Sequence, residues 1–400
     1  MEKNRRTVLR WTAGLLFAAL PLFADDVANT LQPYLDRNCF AGAVVVLVGP
    51  EGIVSEHHAG YVDLKTKRPI GINTLFQLAS ITKPFTATAI LQLADRGKIS
   101  LDDPVGKYIP EMQTMFISNN PADKNGSLKK AEKPITIRHL LSNTSGLPFL
   151  PEAQRKDISG IPLKEMVMAN ASMKLLFEPG TRFSYSNAGY NTLGRIVEIA
   201  SGKPYEVYLA KNLFEPLGMK DTTFFPNAEQ RARLAVMYKA DPLKNGLLES
   251  PFALLGRPLN SPDRFAEAGA GLFSTPDDLA RFAEMLVNRG YFRGKRLLSE
   301  KMFCEMTKVQ TPPSEKKWPY GFGFHIRENC FFHGGAGGSD LKVYKNRPLA
   351  FLWFTQQYFC TYAGNGAEAE NAVEKILLGS EAVKPEEKRV DKDPRRDAER

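Results

Sequence analysis

Strand-forming runs lie at the two ends of this chain, and the long middle, about residues 101–290, carries helical pattern broken by polar loops. Near the amino end, Gly42 to Val48 and Gly52 to Tyr61 flank a Pro50-Glu51-Gly52 turn and read as a hairpin. Past residue 318, Tyr320 to Ile326, Cys330 to His333, Leu341 to Tyr344 and Leu349 to Thr355 are short, aromatic and β-branched. Gly or Asn-Arg-Pro turns separate them, which predicts antiparallel strands. A chain patterned in this way reads as α/β (α+β): one antiparallel sheet built from both ends, flanked by helices, with a mostly helical region inserted. Loops at about 117–134 and 241–265 read as surface insertions.

The amino terminus reads as an export address. A basic stretch from Met1 to Arg10 precedes an apolar run from Trp11 to Phe23, too short to span a bilayer comfortably. Arg5-Arg6-Thr7-Val8-Leu9-Arg10 resembles a twin-arginine signal. The expected division is a signal peptide over 1–24, one domain over 25–380 and a solvated charged tail over 381–400, with seven basic and seven acidic residues. This predicts an exported, periplasmic protein that touches a membrane only if the signal stays uncleaved. The net charge of +9 falls to +6 without residues 1–24, and the rest is scattered, so a nucleic-acid partner is not expected. Cys39, Cys304, Cys330 and Cys360 show no ligand spacing with the five histidines, so no metal or other cofactor is expected. Disulfides and buried thiols both fit that set.

Ser80-Ile81-Thr82-Lys83 opens an amphipathic run with Ile81, Phe85, Ala89, Ile90 and Leu93 on its apolar side and Gly97 as its stop. Serine and lysine three apart on a helix share a face, and a lysine within reach can take the proton that makes a serine nucleophilic. Tyr185-Ser186-Asn187 follows the turn Glu178-Pro179-Gly180-Thr181, and His333-Gly334-Gly335 enters a glycine-rich stretch. A lone match to any of these is weak. Their order, Ser-x-x-Lys, Tyr-x-Asn, His-x-Gly, resembles the serine β-lactamase and penicillin-binding-protein superfamily, in its class C-like branch. Further blocks resemble it too: Leu140 to Leu147, Pro179-Gly180, Leu213 to Met219 and Gly271 to Thr275.

The resemblance implies a β-lactamase/transpeptidase-like fold and a covalent acyl-enzyme on Ser80. Lys83 and Tyr185 are the proton-transfer pair; with reference pKa values of about 10.4 and about 10, neither is a base at neutral pH unless shifted, and the sequence leaves open which accepts the proton. Asn187, His333, Gly334 and Gly335 are expected to hold substrate, with Asn187 also holding Lys83. The backbone N–H groups of Ser80 and Ala336 are the implied oxyanion donors. β-Lactamases of the superfamily typically carry Lys-Thr-Gly where this chain has His333-Gly334-Gly335, which points away from carboxylate recognition and toward an ester or amide substrate. The expected activity is a serine hydrolase of esterase type on a small-molecule ester, amide or peptide substrate. The alternatives are a DD-peptidase or D-amino-acid peptidase, a β-lactamase, and a non-catalytic penicillin- or peptide-binding protein.

Overall fold

The computed structural model describes residues 23–118, 127–151, 154, 156–241, 246–252, 255–358 and 365–379. The predicted signal peptide lies outside these residues except for its last two positions, which begin the first helix; the charged tail 381–400 also lies outside them.

Helix α1 (Phe23–Asp36) leads into β1 (Gly42–Gly49), β2 (Gly52–Asp63) and the short β3 (Arg68–Pro69). Helices α2 (Thr82–Asp95), α3 (Asn187–Ser201) and α4 (Pro276–Val287) belong to the middle of the chain. Strands β4 (His325–Ile326), β5 (Cys330–Gly335), β6 (Ser339–Tyr344) and β7 (Ala350–Phe354) follow, and α5 (Asn365–Leu378) closes the described chain. The strands form one seven-stranded sheet in the order β4-β5-β6-β7-β1-β2-β3. Its central seam joins the two ends of the chain: β7 runs antiparallel to β1, with Val46 opposite Leu352.

Every residue of β1 is buried, as a central strand covered on both faces must be. Val44, Val46 and Val48 enter the larger core with α2 and α4, while Ala43, Val45 and Leu47 meet α1 and α5 through Val27, Leu31, Ala369 and Val373. The period-two alternation therefore divides one valine run between two helical layers. On the α5 side a buried ion cluster crosses the interface: Lys342 Nζ lies 2.6 Å from Glu370 and 2.8 Å from Glu374. Tyr344 Oη donates to Glu374 as well. Burial pushes the Glu370 carboxyl up to about 8, against the pull of Lys342.

Several expectations change. Residues Thr82 to Leu93 of α2 are all buried, so the helix is no amphipathic surface element but the central rod of the helical region. Ser80 does not open it; it lies in a 3-10 turn, Ala79–Ile81, just before. Of the expected strand Tyr320 to Ile326, only His325–Ile326 joins the sheet; the chain turns through Gly321 to Gly323, the latter with φ +79°, so that Tyr320 bridges back to His325. The two predicted insertions carry small antiparallel pairs, Phe116–Ser118 with Leu128–Lys130 and Tyr238–Ala240 with Leu247–Glu249. Cys39, Cys304 and Cys330 are free thiols, and Cys360 lies outside the described residues.

Candidate active site

The serine segment is clamped before it enters α2. Leu78 N–H donates to Leu272 O at 2.9 Å, where Phe76–Gln77 pairs with Phe273–Ser274. Gln77 N–H donates to Gln356 Oε1 at 2.9 Å. Thr82 Oγ1 donates to Ala79 O at 2.7 Å and accepts from Leu272 N–H at 3.1 Å. Ala79 itself takes φ 45°, a left-handed conformation unfavourable for a residue with a Cβ, and the surrounding bonds hold it there. Ser80, 6% exposed, follows that bend.

Lys83 lies one turn further on and is fully buried. Its Nζ donates to Asn187 Oδ1 at 2.5 Å and to Gly269 O at 2.7 Å. It also sits 4.5 Å from the centroid of the Tyr185 ring and 5.3 Å from that of Tyr190, where the ring faces favour a cation. The structure thus places Asn187, expected to hold Lys83, in a short buried hydrogen bond with it.

Asn187 is the first residue of α3, and Ser186 caps that helix by accepting Gly189 N–H at 3.0 Å. The Leu140 to Leu147 block supplies the brace: Asn143, at φ 56°, accepts Ser186 N–H on Oδ1 at 3.0 Å and Ser184 N–H on its carbonyl at 2.9 Å. Tyr185 is fixed between these two bonds. Its Oη lies 3.4 Å from His333 Nε2, a long contact, and Phe149 stacks beside its ring at 6.2 Å.

His333 lies in the second half of β5 opposite Leu341, and its Nδ1 donates to Gly334 O at 2.8 Å. A carbonyl can only accept, so Nδ1 carries a proton, and in the neutral form of the ring Nε2 is then an acceptor facing Tyr185. Gly335 has to be glycine: a Cβ there would stand 3.2 Å from the Leu78 carbonyl carbon and closer still to its oxygen. That absence of a side chain lets β5 lie against the serine segment. Ala336 is half-buried in the following turn, closed by Gly338 N–H to Gly335 O at 3.0 Å. Beyond His333, rings continue outward through His325 at 5.5 Å, then from His325 to Trp318 at 6.5 Å and from Trp318 to Phe183 at 6.0 Å.

One further group converges on Lys83 without having been singled out in the sequence. Glu267, 1% exposed, accepts the N–H groups of Gly269 and Ala270, the first at 3.0 Å. Its only trace in the sequence is an acid among small residues, Ala266-Glu267-Ala268-Gly269-Ala270-Gly271, a composition that calls for a reason to bury charge. Among the described residues no group of three His, Cys, Asp or Glu side chains is placed to hold a metal ion. His57 and His58 lie on β2, opposite Val45 and Val44, in the sheet and away from Lys83 and its partners.

The family model described as Beta-lactamase matches residues 27–369, most of the chain. The chain belongs to the Beta-lactamase family. It is 32% identical over 344 residues to Protein Rv1367c of Mycobacterium tuberculosis, covering 81% of each chain. It is 32% identical over 309 residues to esterase EstB of Burkholderia gladioli, covering 70% of this chain and 75% of EstB. Other relatives are named as an amidase and as a carboxypeptidase/endopeptidase. Among solved structures, EstCE1, described as a hydrolase with promiscuous acyltransferase activity, superimposes with a TM-score of 0.72 at 23% identity, covering 88% of this chain and 98% of EstCE1. Beta-lactamase-family relatives of these kinds are serine hydrolases acting on small ester or peptide substrates. The fold carrying that chemistry is the one described above: an antiparallel sheet flanked by helices.

Proposed function

We propose that this protein is an esterase-type serine hydrolase that works through an acyl-enzyme on Ser80. The observation that carries the reading is the convergence of Lys83, Tyr185 and Asn187, held by the 2.5 Å bond from Lys83 to Asn187, one turn after the strained Ala79–Ser80 bend. Ser80 Oγ bonds to the acyl carbon as its proton passes to the Lys83–Tyr185 pair; the bond to the leaving alkoxide breaks, and the alkoxide takes that proton. Water then repeats the sequence in reverse roles and frees the acid. The N–H groups of Ser80 and Ala336 receive the negative oxygen of each tetrahedral intermediate.

The ester preference rests on β5. His333 spends Nδ1 on its own chain's Gly334 carbonyl, Gly334 offers no hydroxyl, and the rings running from His333 to Phe183 suit an apolar acyl or alkoxy group better than a carboxylate. Relatives named as esterase, amidase and carboxypeptidase/endopeptidase keep amide and D-peptide hydrolysis as the second reading. We also propose that the protein is exported to the periplasm, on the basic and apolar pattern of residues 1–24. A fluorophosphonate probe compared on wild type and Ser80→Ala tests the enzyme reading. Labelling and p-nitrophenyl acetate turnover that vanish together in Ser80→Ala are expected; wild-type protein that neither labels nor turns over would be a binding protein instead.

A further inference from the structure

The turn beneath Lys83 contains a charge that the acyl-transfer scheme leaves unused. Glu267 Oε2 accepts the N–H groups of Gly269 and Ala270, and Gly269 in turn gives its carbonyl to Lys83 Nζ at 2.7 Å. The same turn is held from two more sides. Ala268 N–H donates to Asn191 Oδ1 at 2.9 Å, and Ala268 O accepts Thr86 Oγ1 at 2.6 Å. A methyl group placed on Gly269 would stand 2.9 Å from Asn187 Oδ1 and 3.0 Å from Glu267 Oε1, so both oxygens lie over one side of this residue. Oε1 is buried, and the Asn191 amide is a side-chain hydrogen-bonding group close to the carboxyl. Burying a carboxylate in this way is costly unless a proton or a nearby cation compensates, and Lys83 is that cation.

We propose that Glu267 is a positioning residue for acyl transfer: its carboxylate fixes the turn that presents Gly269 O to Lys83, and its charge sets the pH at which the Lys83–Tyr185 pair can accept the Ser80 proton. The proposal rests on the acyl-enzyme reading above. Burial pushes the Glu267 carboxyl up to about 7, against the charge of Lys83, the Asn191 amide and the two backbone N–H groups. The ionisable groups facing it are Lys83 from α2 and Tyr205 from the short helix Tyr205–Leu209, whose phenol burial pushes far up and so keeps neutral. Glu267 and Lys83 therefore bias each other. Removing a negative charge eases deprotonation of either member of the Lys83–Tyr185 pair, so the direction of the effect is the same whichever is the base.

Glu267→Gln keeps an oxygen for the two N–H groups and deletes the charge. Its kcat/KM profile on p-nitrophenyl acetate should show the acid limb moved down by about one pH unit or more, with Glu267→Asp returning the limb toward wild type. A profile that superimposes on wild type in shape, with rate lost equally at every pH, would leave Glu267 a purely structural residue. Should Glu267→Gln not fold, an infrared pH titration of wild type and Lys83→Ala reads the buried acid without turnover. Its midpoint should rise in Lys83→Ala, and identical midpoints overturn the proposal. Failure of the acyl-enzyme reading itself shows separately, as labelling that does not depend on Ser80.

Discussion

Gly335→Ala tests whether the approach of β5 to the serine segment matters for catalysis. The added methyl meets backbone on its facing side, 3.2 Å from the Leu78 carbonyl carbon, in contact with its oxygen, and 3.7 Å from Ala79 Cβ. Backbone cannot rotate out of the way as a flexible side chain can. Either β5 or the Leu78–Ser80 bend must therefore move, and both are tied down, the bend by Leu272 and β5 by β6. Overpacking of this kind costs about 1–3 kcal/mol of stability. The catalytic cost is the larger effect: a displacement of about 1 Å between reacting groups is worth about a hundredfold in rate. Stopped-flow release of p-nitrophenol reads acylation directly, and denaturant midpoints read stability. Gly71→Ala is the control, since its Cβ would meet nothing within 4 Å. Acylation by Gly335→Ala within about threefold of wild type, or an equal loss in Gly71→Ala, would refute the reasoning.

Lys83→Ala and Tyr185→Phe should each slow acylation at least about a hundredfold, measured by the same burst; near-wild-type rates in both would remove the proton-transfer scheme. Asn187→Ala deletes the acceptor of a buried charged bond worth about 1.5–3 kcal/mol, so kcat/KM should fall about ten- to hundredfold. Nitrocefin should be hydrolysed with a lower kcat/KM than p-nitrophenyl acetate, because His333-Gly334 replaces a cation and a hydroxyl; a reversed order would contradict that reading. Glu370 supplies a pH test of stability. Its folded pKa lies above its unfolded value, so the folded state binds the extra proton and stability falls as pH rises from the ordinary carboxyl range through about 8. Thermal midpoints of Glu370→Gln should flatten over that interval, and a slope equal to wild type would sink the assignment.

The ends of the sheet were legible because period-two patterning and turn residues act locally. Val44 to Val48 could not have been a surface strand, and the Pro50-Glu51-Gly52 turn left only a hairpin. The Ser-x-x-Lys, Tyr-x-Asn and His-x-Gly segments were legible by their order, and the Asn143 brace lay in a block that the same resemblance had marked. The burial of α2 was not. Lys83, Thr86 and Gln92 put polar groups into the core, yet each finds a partner in another segment, as Thr86 does at Ala268 O and Gln92 at Asn212 O, while Thr88 donates back to Pro84 O of its own helix at 2.8 Å. Glu267 was hidden for the same reason. Its partners are backbone groups of its own turn and a lysine far away in the chain, and neither leaves a spacing that can be read along one dimension.

The pairing of β7 with β1 has a consequence for synthesis. Val46 emerges early from a ribosome and must wait for Leu352 before the middle of the sheet can close. Until then the valine run of β1 has an unpaired edge, the kind of surface that chaperones cover and aggregates recruit. A product cut short before residue 350 would lack the strand against which its first one is built, so quality control should remove truncated chains more readily than point variants of the active site.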